Sequence, residues 1–269
     1  MVLTTPDVAI LDRPSVSQTR ADHQAAIGTV IAQMRANLDY PYTLDDFAAM
    51  ANYTPFHFAR MFRHIIGIPP GEFLAALRFE HAKELILRTE VSITDICFEV
   101  GFSSLGTFSA RFKHLVGVSP ADLRTLPERL EPRLAEFRCH NQSAMRPGAT
   151  LGGVVSAPYA TDGHLYVGLF PAAIPQHAPI SGMHRVGAGP FTLRGIPPGT
   201  FRLLAAMYPD STDPMDHLLP GNQLLVAADP DPITIDPAGR QPSRSLVLRP
   251  LQPTDPPILT ALAPMALGI

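Results

Sequence analysis

Tryptophan is absent from the 269-residue chain, cysteine occurs twice, and charged residues make up 17% of it, against roughly 25% in an average soluble protein. Cys97 and Cys139 lie 42 positions apart, which is neither a disulfide framework nor the spacing of a metal or redox pair. They read as buried or idle thiols. No stretch reaches the roughly 18–20 unbroken apolar residues of a membrane span. The start, MVLTTPDVAILDRPSV, has no basic run ahead of an apolar block. A cytoplasmic protein with no membrane partner is expected. Net charge is −3, so overall charge does not point to a polyanionic partner, and local distribution has to carry that argument.

What is present divides the chain in two. Splitting after Arg146 leaves 15 of 146 residues as Gly or Pro in the first part and 33 of 123 in the second, while all eight Glu and both Lys fall in the first. Straight-chain charged residues favour helix, and Gly/Pro punctuation favours short strands and turns. The fold class expected is multidomain: an N-terminal all-α domain, then a C-terminal all-β antiparallel sandwich. The boundaries read as a flexible arm (1–22), a helical domain (23–126), a linker (127–147) and the sandwich (148–269).

The first half contains an internal repeat. TLDDFAAMANYTPFHFARMFRHIIGIPPGEFL from Thr43 lies over SITDICFEVGFSSLGTFSARFKHLVGVSPADL from Ser92, with Phe58/Phe108, Phe62/Phe112, His64/His114, Gly67/Gly117 and Pro70/Pro120 in register. Thr43 with Asp46 and Ser92 with Asp95 are S/T-x-x-D capping patterns for a helix of about two turns. Thr54 or Ser104 then caps a second helix, with Pro55 at its first position in copy one. Gly67 and Gly117 supply the left-handed residue that ends it. Two short helices joined by a tight turn, twice over, make two helix-turn-helix units. PPGEFLAALRFEHAKELIL, residues 69–87, would be the long helix between them.

In the second helix of copy one, Phe58, Phe62 and Ile65 form the buried stripe, leaving Phe56, Arg60 and Arg63 outward, with His57 counted among the DNA-facing residues. No acid lies between Asn52 and Gly71. Arginine can pair bidentately with guanine in the major groove, so this is the footprint of a recognition helix; alone, it could equally be a solvated basic face. In copy two the core is Phe108, Phe112 and Leu115 and the outward stripe is Gly106, Ala110 and Lys113, with Thr107 and Arg111 beside it. That helix keeps its phosphate attraction but has fewer groups for base edges.

The stretch from Ile27 to Arg124 resembles the AraC-type DNA-binding domain, through TLDDFAAMANYTPFHFARMFRHIIGIPPGEF, the linker RFEHAKELIL and ITDICFEVGFSSLGTFSARFKHLVGVSPADLR. The resemblance implies seven helices, two helix-turn-helix units and control of transcription initiation. It places Phe56, Ala59 and Arg60 at base-contacting positions of the first recognition helix and Leu105, Gly106, Thr107 and Ala110 at those of the second. Ala59 and Ala110 depart from the polar residue or arginine common there, and Arg111 compensates in part. The partners expected are double-stranded promoter DNA and RNA polymerase. A small-molecule effector and a homodimer stay open.

The second half reads as seven strands: LGGVVSA, HLYVGLF, PFTLRGI, TFRLLAAMY, QLLVAAD, PITID and SLVLRPL. GPFTLRGIPPGTFRLLAAM resembles the carboxypeptidase regulatory-like, transthyretin-like sandwich, in which a PPGT turn joins two strands as a hairpin. The half shows no GxSxG, HExxH, phosphate loop or Cys nucleophile, so a non-enzyme without cofactor is expected. His164, His177, His184 and His217 with Asp213 and Asp216 read as scattered surface residues, since no pair has metal-ligand spacing. Tyr166, Phe170 and Tyr208 are core residues or the lining of a ligand pocket. The competing reading is an enzyme or metal-binding protein with its site in the sandwich, the helical domain serving only to target DNA.

Overall fold

In a computed structural model of the protein, residues 16–134, 148–159, 162–236 and 241–267 are described. Seven helices precede Thr125: α1 (Val16–Ala36), α2 (Leu44–Met50), α3 (Pro55–Ile66), α4 (Pro70–Arg88), α5 (Ile93–Glu99), α6 (Leu105–Val116) and α7 (Pro120–Arg124). The expected arm falls partly outside the described residues, at 1–15, and residues 16–22 already belong to α1. Of the expected linker, α8 (Leu126–Leu130) and a following 3-10 turn are helical, with Leu126, Leu130 and Leu134 buried. Residues 135–147, including Cys139, lie outside the described residues; Cys97 is a buried free thiol.

The caps follow the local signals. Thr43 and Asp46 form a capping box at α2, and the Ser92 and Ser104 hydroxyls accept from the backbone N–H groups of Asp95 and Thr107. Thr54 makes no side-chain cap bond, so Pro55 at the first position of α3 carries that start alone. The turns inside the two units match: Asn52 at φ 58° and Gly101 at φ 83° are left-handed two residues after their helices end, a conformation Asn and Gly adopt most readily. Gly67 and Gly117 close α3 and α6 at φ 92° and 99°. The buried stripes shift by one residue from the expected pattern. Ile65 and Leu115 are only partly buried, whereas Ile66 and Val116, eight residues after Phe58 and Phe108, join them in the core.

Among the described residues the second half holds nine strands in two sheets: β1 (Ala149–Ser156), β2 (Gly163–Phe170), β3 (Ser181–Val186), β4 (Gly189–Ile196), β5 (Gly199–Pro209), β6 (Leu225–Ala228), β7 (Ile233–Ile235), β8 (Arg244–Val247) and β9 (Arg249–Pro250). One sheet has the order β4-β1-β8. The other runs β3-β2-β5-β6-β9, with β7 paired to β5. Between them lies a core of Leu151, Phe191 and Leu193 from one side and Leu165, Val167, Leu203 and Met207 from the other.

Three expectations need correction. The half is not purely antiparallel, because β1 and β8 run parallel. It is not purely β, because α9 (Leu262–Leu267) follows the strands. The PPGT segment is no hairpin: β4 pairs with β1 and β5 with β2, so the chain passes there from one sheet to the other. Phe191 and Phe201 then reach the same core from opposite sheets, which two strands of one hairpin could not do, since a sheet's alternating residues share one face. SLVLRPL divides for the same reason, as β8 and β9 in different sheets. Strand β3 escaped the sequence reading because Gly-Met-His-Arg carries no apolar alternation.

All eight residues of β2 are buried. Leu165, Val167 and Leu169 face the other sheet. The opposite face of this sheet packs on the helices, so that Tyr166, Ala206 and Tyr208 share one buried cluster with Phe58, Phe79 and Phe112. The α-helical and β-rich halves are therefore joined by a continuous apolar contact. No helix among the described residues is long and apolar enough to cross a membrane.

Candidate nucleic-acid interface

Helices α3 and α6 each present one face outward. On α3, Phe56 is 78% exposed, Arg60 and Arg63 are exposed, and His57 and Ala59 are half-buried. The Arg60 guanidinium lies 5.9 Å from the centre of the Phe56 ring, so the two side chains share one stripe. His57 stacks on Tyr53 at 5.0 Å and lies 5.9 Å from the His23 ring, which ties it to α1. On α6, Leu105, Gly106, Thr107, Ala110, Arg111 and Lys113 are all exposed. The Arg111 guanidinium rests over Phe79 at 5.6 Å and Phe102 at 6.0 Å. A cation held over two rings is less available to compensate for Ala110.

The frame behind these helices depends on a residue the sequence reading passed over. Arg78, on α4, donates to the carbonyls of Leu38 at 2.7 Å, Tyr40 at 2.9 Å and Gly101 at 3.3 Å. It thereby connects the α1–α2 loop to the turn of the second unit. Its position in the linker motif was visible; its partners, 23 to 40 residues away, were not.

The far ends of both helices abut the β-rich half. The last carbonyls of a helix lack intrahelical partners. In α6 those of His114, Leu115 and Val116 accept from His177 Nδ1–H (2.8 Å), His177 N–H (2.9 Å) and Ala261 N–H (3.0 Å). At the end of α3, Gly67 is packed so closely on Ala173 that a Cβ there would stand 2.6 Å from the Ala173 methyl.

The candidate metal residues are not scattered over the surface. His164, His184 and His217 are buried, His164 Nδ1 lies 3.0 Å from His184 Nε2, and the His164 and His217 rings are 5.1 Å apart. Burial, then the neighbouring His217 and His184, push the His164 pKa down to about 4 although Asp210 opposes the shift. His177 lies apart, against α6, while Asp213 caps the 3-10 turn at Pro214–His217 and Asp216 accepts from Ser211. Among the described residues no group of three or more His, Cys, Asp or Glu is arranged to hold a metal ion.

The family model described as a helix-turn-helix domain matches residues 47–125. The chain is 32% identical over 108 residues to the HTH-type transcriptional activator AarP of Providencia stuartii, covering 40% of this chain and 80% of that one. It is 31% identical over 105 residues to the transposon Tn10 TetD protein of Escherichia coli, covering 39% and 76%. A solved transcriptional regulator with an AraC-type DNA-binding domain, from Chromobacterium violaceum, is 28% identical over 39% of this chain and 94% of that one, with a TM-score of 0.37.

Proposed function

The chain belongs to the AraC-type family of helix-turn-helix transcriptional regulators, and we propose that α3 and α6 enter successive major grooves of promoter DNA, about 34 Å apart. It is a DNA-binding transcription regulator. The observation that carries the docking is the pair of outward stripes on two helices whose opposite faces are buried, neither with an acid along its length. Phe56 and Arg60 are assigned base edges, with Ala59 between them. Arg63, His57 and Lys113 are assigned the flanking backbone. Leu105, Gly106, Thr107, Ala110 and Arg111 form the second, shallower reading surface. Residues 23–126 make the DNA-binding unit and residues 148–269 a regulatory one, reached by an effector rather than by a substrate. The face-to-face sheets support kinship with the carboxypeptidase regulatory-like sandwich; the PPGT crossing does not.

Selection of duplexes from a random pool by the full-length chain tests this directly. Enrichment of a bipartite site with its halves one helical turn apart is expected, and enrichment of no sequence would sink the docking mode.

A further inference from the structure

The outer face of the larger sheet and the segments crossing it line a cavity of about 400 Å³, partly open to solvent, that DNA reading does not use. Its floor is formed by Tyr166, Ala206 and Val226, neighbours across β2, β5 and β6. Ile258, Leu262 and Met265 cover it from the C-terminal segment and α9, and Pro175 and Pro179 close one end from the β2–β3 connection. Small-molecule sites run from roughly 300 to 1,000 Å³, and at the packing density of protein interiors this one holds roughly 15–20 non-hydrogen atoms. Charge at the wall is cancelled internally, since the Arg249 guanidinium and Asp255 carboxylate make two bonds of 2.7 Å to each other. Arg194, which also lines the cavity, is solvent-exposed. His184, buried at the wall, is engaged by His164 at 3.0 Å, so an ionised ligand would lose its hydration here with no uncommitted buried charge to meet it.

The same two segments hold the recognition helices. Along the β2–β3 connection, Pro175 and Ala178 line the cavity while His177 donates twice to the end of α6. Along the C-terminal segment, Ile258 and Leu262 line it while Ala261 donates to Val116. Thr260 Oγ1 donates to the carbonyls of Pro175 and His177, at 3.1 and 2.8 Å, fastening one segment to the other. His177 is held at φ 62°, a conformation a non-glycine residue keeps only where its surroundings over-determine it. Neighbouring residues of one short stretch thus touch ligand space and recognition helix in turn.

We propose that this cavity is the effector site of the regulator and takes an uncharged, predominantly apolar small molecule, whose occupancy alters how the ends of α3 and α6 are seated. The proposal rests on the reading of the chain as a DNA-binding regulator. A ligand shifts an equilibrium only through its different affinity for the two states, and here the walls it contacts belong to segments bonded to the end of α6 and packed, through Ala173, against the end of α3.

The test uses the full chain and N-phenylnaphthylamine, an uncharged aromatic probe of suitable size that fluoresces in apolar surroundings. Saturable binding of one probe per chain is expected, weakened about tenfold or more by Ala206→Leu on the floor and by Ala266→Phe on α9, with both variants shown folded by circular dichroism. Ala266 is only partly buried, so the second variant stands if the first does not fold. Saturating probe should also change the affinity for the selected duplex about fivefold or more. No saturable binding, or binding undiminished in both variants, overturns the site; bound probe with unchanged DNA affinity overturns its effector role. A chain that binds probe but no DNA would overturn the regulator reading, and the effector role with it, while leaving the cavity a ligand site.

Discussion

Among the described residues Lys83 is the only buried lysine or arginine, and it sits where the two halves meet, its ammonium donating to the Ile258 carbonyl at 3.1 Å. Burial lowers its pKa from 10.5 to about 8, although Glu80 and Glu84 pull it upward. In the unfolded chain the ordinary value returns. Below pH 8 both states carry the proton and the cost of the buried charge stands in full. Between pH 8 and 10.5 the unfolded state binds a proton the folded state lacks, so stability rises with pH across this window. At 1.36 kcal/mol per pKa unit the rise is about 3 kcal/mol. Replacing Lys83 by Met removes the titration while keeping an unbranched side chain of similar length. Urea unfolding followed by circular dichroism, at intervals across the window, measures both proteins. Cys97 and Tyr208, whose pKa values burial raises, titrate in both and cancel in the comparison. Wild-type stability relative to Lys83→Met should therefore climb by about 3 kcal/mol from pH 8 to 10.5. Parallel profiles would show that the ammonium is hydrated in solution and that the two halves do not close over it.

Other outcomes follow from the recognition surfaces and the joint. Arg60→Ala should cost about 1–3 kcal/mol on the selected duplex and relax preference at one position, whereas Lys113→Ala should weaken specific and nonspecific binding alike; equal losses of both kinds in Arg60→Ala, read by fluorescence anisotropy, would make that arginine a phosphate contact. Base discrimination should concentrate in one half of the selected site, because α3 offers the Arg60 fork beside the exposed Phe56, whereas α6 offers an ammonium with Arg111 held over rings. Two equally sharp halves would refute this. Gly67→Ala and Gly117→Ala incur the same left-handed strain, about 1–2 kcal/mol, but only Gly67 faces Ala173 while Gly117 has nothing within 4 Å. Gly67→Ala should be the more destabilising in thermal unfolding, and equal losses would mean that the halves are not in contact at the end of α3.

The helix-turn-helix pair was readable from the chain because its signals are local. A capping Thr or Ser and its Asp are three residues apart, the phenylalanines of each stripe are four apart, and Gly67 and Gly117 end their helices by their own conformational freedom. Such features need no knowledge of what lies on the other side of the molecule, and the exposed face of α3 follows by subtraction once its buried face is known. What the tertiary structure decided depends on pairs far apart in sequence. Lys83 meets Ile258 across 175 residues, and His177 meets His114 across 63. The alternation of β2 shows two faces but not what covers each. The tertiary structure buried His164 and His184, which the sequence assigned to the surface, and placed Tyr166 in the cluster shared with the helices. The cavity arises from the same source, because it exists only where the C-terminal segment and the β2–β3 connection meet over the sheet, and neither segment has a periodicity that could announce the meeting.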